Sequence, residues 1–296
     1  MQSNNPVFRR SEEFNRGGQN APSTTYGNQT YAGNGSGYPG YGTDPAQWGT
    51  GAPGDQGQGL ATDGGRMTID SVVQKTAMTL GVVVVTALAT WILTPDMTGS
   101  ADAAALYSAA MIGSLGAFAL SMVNSFKRVI SPALVLAFAA LEGVALGAFS
   151  KVLDSYVAVS AGESSIVSGA VFGTMAAFAG TLAAYKIFDI KVGDKFRKGV
   201  TAAMFGMVGL AMMSLVLSMF GVSTGLFGFG FLGTITAVVG LVLGVFMLIM
   251  DFDFVEKGIA NGLPERESWR AAFAMTVSLV WIYTNLLRLL AIFQSD

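Results

Sequence analysis

The chain has 296 residues, of which 52% are hydrophobic and only 12% charged, with a formal net charge of −2. Soluble domains carry about a quarter charged residues, so this deficit points to a lipid environment. With no cysteine and no histidine, disulfides, thiol nucleophiles, thiolate or imidazole metal sites and a histidine pH sensor are excluded. Proton-linked behaviour is left to the carboxylates.

Residues 1–66 are rich in Gly, Asn, Ser, Gln, Pro and Tyr, as in the run from Tyr31 to Gly42. They show neither helical nor strand period and too little apolar surface to offset ordering entropy, so they read as a disordered tail. The tail has no signal-peptide core and is expected to be retained. Asn28 and Asn34 open glycosylation sequons of the kind that arise by chance in such sequence. The spaced Tyr26, Tyr31, Tyr38 and Tyr41 are read as part of a solvated tail, with weak self-association as the alternative.

Residues 67–296 form the second unit, in which long apolar runs alternate with short polar breaks. A helix needs about 20 apolar residues to cross the hydrocarbon core. Spans are predicted at about 76–94, 103–123, 132–150, 166–186, 200–220, 231–250 and 271–293. The fold is therefore all-α, a polytopic bundle of seven transmembrane helices.

Lys and Arg concentrate in alternate connections: Arg66 and Lys75 before the first span, and Lys127 and Arg128 between the second and third. Lys186, Lys191, Lys195, Arg197 and Lys198 lie between the fourth and fifth, and Lys257, Arg266 and Arg270 between the sixth and seventh. Retention of positive charge in the cytoplasm then places the N-terminus inside and the C-terminus outside, a topology that requires an odd number of spans. Trp91 and Trp269 fall where interfacial aromatics settle. Lys127 and Arg128 are also candidates for a cytoplasmic latch.

Three Gly-xxx-Gly pairs, at 143/147, 169/173 and 240/244, read chiefly as helix contacts within the chain, with a dimer interface as the alternative. The run from Gly228 to Gly233 spells a dinucleotide fingerprint. It follows no strand and opens a span, so the match carries no weight.

Ionisable side chains within the bilayer are functional candidates by default. Glu142 lies near the middle of the third span, and Arg288 lies in the seventh with Asn285 before it. Either they form a buried ion pair that only holds the bundle together, or Glu142 has no partner and responds to protons. The third site is Asp251-Phe252-Asp253-Phe254-Val255-Glu256-Lys257, at the end of the sixth span. Asp253 and Glu256 share one helical side, and Lys257, at i+4 from Asp253, offers a salt bridge. Their oxygens suit a weak, transient Ca²⁺ site, although the run lacks the pattern of a dedicated calcium loop. No cofactor is otherwise expected, nor nucleic-acid binding. Ser278 and Thr284 have no general base nearby in sequence, and no enzymatic constellation is present.

These elements together resemble the Bax inhibitor (transmembrane Bax inhibitor motif) family. The resemblance rests on Pro132-Ala133-Leu134 with Leu141-Glu142-Gly143-Val144-Ala145-Leu146-Gly147, on Phe252-Asp253, and on Asn285-Leu286-Leu287-Arg288-Leu289-Leu290. The opening from Asn5 to Phe14 looks like the actinobacterial branch of its bacterial members. The resemblance implies a bacterial plasma-membrane protein with six helices around the seventh, and a pH-sensitive calcium or cation leak. On a channel reading Glu142, Asp251 and Asp253 are the path or proton-sensing residues, with Arg288 as counter-charge or plug. In the family two aspartates share protons: Asp253 matches the first, with Asp251 as the alternative register, and Ser278 stands where the second would be. Either Glu142 or a neighbour such as Asp251 substitutes for it, or the pH response is weaker or absent. A second reading of the resemblance is a non-transporting regulator of a membrane quality-control protease or stress response.

Overall fold

The computed structural model describes residues 65–95, 100–161 and 166–295. The tail assigned to residues 1–66 lies, up to residue 64, outside the described residues, together with its sequons and spaced tyrosines. Gly65, Arg66 and Met67 are already tied to the body. Arg66 forms an isolated antiparallel bridge with Pro264, the Gly65 carbonyl accepts from Glu265, and Met67 donates to Leu263.

Seven helices follow, each long and apolar enough to cross a membrane. They are α1 (Ile69–Leu93), α2 (Ser100–Phe126), α3 (Pro132–Ala161), α4 (Ile166–Ile187), α5 (Asp194–Met219), α6 (Phe231–Ala260) and α7 (Glu267–Ser295). Most extend beyond the predicted spans. The apolar run marks the part in hydrocarbon, whereas the helix continues into flanking polar residues, such as the Asp251 to Lys257 stretch of α6, where the i+4 pair from Asp253 to Lys257 supports it.

Local chemistry explains several boundaries. Thr68 and Ser71 cap α1 reciprocally, each side chain accepting from the other's backbone N–H at 3.1 Å. Within α1, Thr79, Thr86 and Thr90 donate to carbonyls one turn back, at 2.8, 2.8 and 2.9 Å. In hydrocarbon no water would satisfy these hydroxyls, so the helix does so itself.

All three glycine pairs pack within the chain. Gly143 and Gly147 of α3 lie against Val83, Thr86 and Ala87 of α1 so closely that a Cβ would strike backbone oxygens. Gly169 and Gly173 of α4 face Leu290 and Leu286 of α7, and Gly240 and Gly244 of α6 face Asn285 and Ile282 of α7. Lipid supplies no hydrophobic drive between helices, so such close approach is what gains dispersion contacts.

The seventh helix is the central one, packing on α1, α3, α4 and α6. Among the described residues α2 rests on α3 alone and α5 on α6 alone. The basic segments share one end of the bundle. Lys257 Nζ donates to the Val192 carbonyl at 3.4 Å, and Arg270 Nη2 donates to the carbonyls of Lys127 and Arg128 at 3.5 and 2.9 Å. Lys75 pairs with Glu265 at 2.8 Å and lies 5.8 Å from the centre of the Trp269 ring. The Lys75 ammonium holds the Glu265 carboxyl below its ordinary range. At the opposite end Lys151 Nζ donates to the carbonyls of Trp91 and Thr94 at 3.0 and 2.6 Å.

Candidate functional site

The site is built around α7. Phe273 and Val280 of this helix face α3, while Ser278, Ile282 and Asn285 face α6. Between these flanks runs a stripe at helical spacing, Arg270, Ala274, Val277, Trp281, Thr284 and Arg288, each half-buried. Neither the α2 nor the α5 backbone packs against α7 among the described residues. Ala117 and Leu120 of α2 do join the side-chain cluster that holds Phe273 and Val277, so the stripe is only partly covered. An arginine stands near each of its ends.

Glu142 belongs to the α3 stripe Phe138, Glu142, Leu146, Phe149, spaced at i+4 and i+3 and directed at α7. Phe138 packs edge-on against Phe273 at 5.0 Å between ring centres, and Leu146 packs with Val280 and Tyr283. Glu142 is half-buried, and among the described residues no hydrogen bond or ion pair engages it.

The ion pair between Glu142 and Arg288 is not formed. Glu142 sits about ten residues into α3 from the basic end and Arg288 about twenty into α7. At about 1.5 Å per residue their backbones are therefore roughly 15 Å apart along the axis. The Arg288 guanidinium lies instead over the Phe227 ring, 5.1 Å from its centre, and its Nη2 is buried without a hydrogen-bond partner among the described residues. Arg288 is thus no counter-charge to Glu142.

Asp251 and Asp253, two residues apart on α6, point about 200° from each other around the helix. Asp251 faces α7, where Ser278 Oγ donates to its Oδ2 at 2.5 Å. Asp253 faces α5, and its carboxylate, 3% exposed as a residue, meets Arg197 at 2.9 Å and Lys257 at 2.8 Å. The acid opposite Ser278 is therefore Asp251, the alternative register, and not Asp253. Ser278 thereby gains an acidic neighbour that is remote in sequence.

The calcium site expected at Asp253 and Glu256 is taken up by the protein's own groups. Asp253 is held by two cations, and Glu256 Oε2 accepts from the Tyr185 hydroxyl at 2.5 Å. Among the described residues no group of three or more acidic, His or Cys side chains is placed to hold a metal ion. Lys127 and Arg128 do join the basic end together, but through their backbone carbonyls, the charged partner being Arg270. The i+4 pair from Asp253 to Lys257 was legible in the sequence. Arg197 and Tyr185 were missed, because 56 and 71 residues separate them from Asp253 and Glu256 and no local spacing reports such contacts.

The family model described as Bax inhibitor 1 like matches residues 5–295. Comparison with curated proteins finds no match.

Proposed function

The chain belongs to the Bax inhibitor 1 like family, and from that premise we propose that it is a proton-sensitive leak for calcium or other cations in a bacterial plasma membrane. The observation that carries this reading is Glu142, an acid without a partner among the described residues, which faces the central helix at the depth where Asp251 meets Ser278. Both levels lie about 15 Å, or ten residues, from the basic end. Unpaired carboxyls inside a bundle are costly, and a passing cation offsets that cost. The half-open α7 stripe supplies the route beside Glu142. The contacts of Asp253 with Arg197 and Lys257 tie α5 to α6 near the basic end.

By the distribution of Lys and Arg, the basic end faces the cytoplasm, with the N-terminus inside and the C-terminus outside. The reading makes the protein a conduit, not an enzyme. Among the described residues the side-chain hydrogen bond that Asp251 and Ser278 make is to each other. They are a carboxyl and the hydroxyl that donates to it.

The test is calcium flux into dye-loaded liposomes. An ionised carboxylate attracts a cation and a protonated one does not, so the leak is faster at pH 8 than at pH 6. In Glu142→Gln with Asp251→Asn that difference disappears. Equal rates for wild type and double variant at both pH values would end the proposal. Removal of residues 1–64 leaves the leak intact on this reading, whereas a regulator of a membrane protease would lose its partner instead.

A further inference from the structure

A cavity of about 480 Å³ lies between α1, α3, α4 and α7, on the other side of α7 from the stripe. It falls within the range of small-molecule sites. Among the described residues α1 and α4 do not touch, so the cavity opens sideways between them. Its rim is apolar and exposed, with Val84 and Leu88 on α1 and Val171 and Met175 on α4. Its floor is buried, with Leu146 of α3 and Leu279 of α7 at 8% and 5% exposure. A lateral opening at this depth meets hydrocarbon, not water.

Two features identify the occupant. Along α1 the cavity runs from Leu80 to Trp91, which at about 1.5 Å per residue is roughly 16 Å. That is the depth of one leaflet, half of a hydrocarbon core about 30 Å thick. The polarity is also graded. At the Trp91 end, beside Lys151, the hydroxyls of Ser150 and Tyr283 bond to each other at 2.7 Å. Two hydroxyls carry two protons, and one suffices for their mutual bond, so the second is free for an acceptor. Toward Leu80 and Leu279 the lining is aliphatic apart from Thr174, whose hydroxyl is already spent on the Ala170 carbonyl at 2.7 Å.

We propose that this cavity holds one acyl chain of a lipid from the leaflet opposite the basic end. The ester carbonyl accepts the spare proton of the Ser150–Tyr283 pair, and the chain tail reaches Leu80 and Leu279. The lipid replaces the missing α1–α4 contact and touches α7 directly.

The test uses the full chain in phosphatidylcholine–phosphatidylglycerol vesicles doped with phosphatidylcholine carrying a diazirine on one acyl chain. Photolysis is followed by mass-spectrometric mapping of the adducts. With the diazirine near the ester, label falls at Tyr283; with it near the chain end, label moves to Leu279. Both positions are sheltered from bulk lipid, and the exposed Phe205 of α5 serves as the bulk control. In the filled variant Val167→Phe with Val171→Phe, floor labelling drops at least tenfold while Phe205 labelling holds. Met175→Trp at the rim gives a second blocked form should the first not fold. Label confined to Phe205 in the wild type, or floor label indifferent to filling, overturns the proposal. No flux measurement enters, so the result stands apart from the leak.

Discussion

Helices α5 and α7 are of similar length, yet they solve opposite problems. The more apolar of the two, α5, lies outermost: only Val200 and Met207 are buried, and Phe205 and Met219 are 73% and 80% exposed. The less apolar α7 runs through the middle and buries Ser268, Thr276, Ser278 and Asn285. In water the ranking would be reversed. In a bilayer, lipid accepts apolar side chains as readily as protein does, so apolarity gives no reason to be inside. Polar groups provide that reason, because only there do they find partners.

The contrast can be broken most severely where α3 meets α1. Gly147→Leu drives a side chain into the Ala87 backbone and is expected to cost about 3 kcal/mol, measured by thermal unfolding in detergent. An unchanged melting temperature would show that the helices are not in close contact. Gly206→Ala on α5 is the counterpart. An added Cβ meets nothing there, so the exchange is neutral or stabilises by up to about 1 kcal/mol through helix propensity.

Next in size is the link between the outer and inner helices. Asp253→Asn removes the charge that holds Arg197 and Lys257. With both cations about half exposed, the expected loss is about 1–2 kcal/mol, read from thermal unfolding in detergent. An unchanged melting temperature would mean that this contact does not hold α5 to α6. Ser278→Ala takes the donor from Asp251 and is expected to cost about 1 kcal/mol. It also changes the pH profile of the flux, which a purely packing role would leave alone.

The smallest effect concerns the connection between α6 and α7. The carboxyl of Glu265 is held below its ordinary value of 4.5 by Lys75, so its contribution is fully present above that value. It is lost as the pH falls through the lowered one. Melting curves of wild type and Glu265→Gln should therefore differ at neutral pH and converge in acid. A constant difference down to strongly acidic pH would assign the contact some other role.

Seven helices, their order, the alternation of basic connections and the i+4 pair at Asp253 were legible in the sequence. Each depends on local quantities: the length of an apolar run, the charge beside it, or a spacing within one helix. The glycine pairs were visible as contact surfaces, though not their partners. Which acid stands opposite Ser278 turned on a register of two residues that the motif alone left open. That Glu142 and Arg288 sit at different depths, that Arg197 reaches Asp253, and that α7 is ringed by four helices with α2 and α5 outside, were decided by tertiary packing. The physical reason is that lipid-facing and protein-facing surfaces are equally apolar. Periodicity, which in a soluble helix marks the buried side, here says little about direction, and only the assembled bundle shows which polar groups meet.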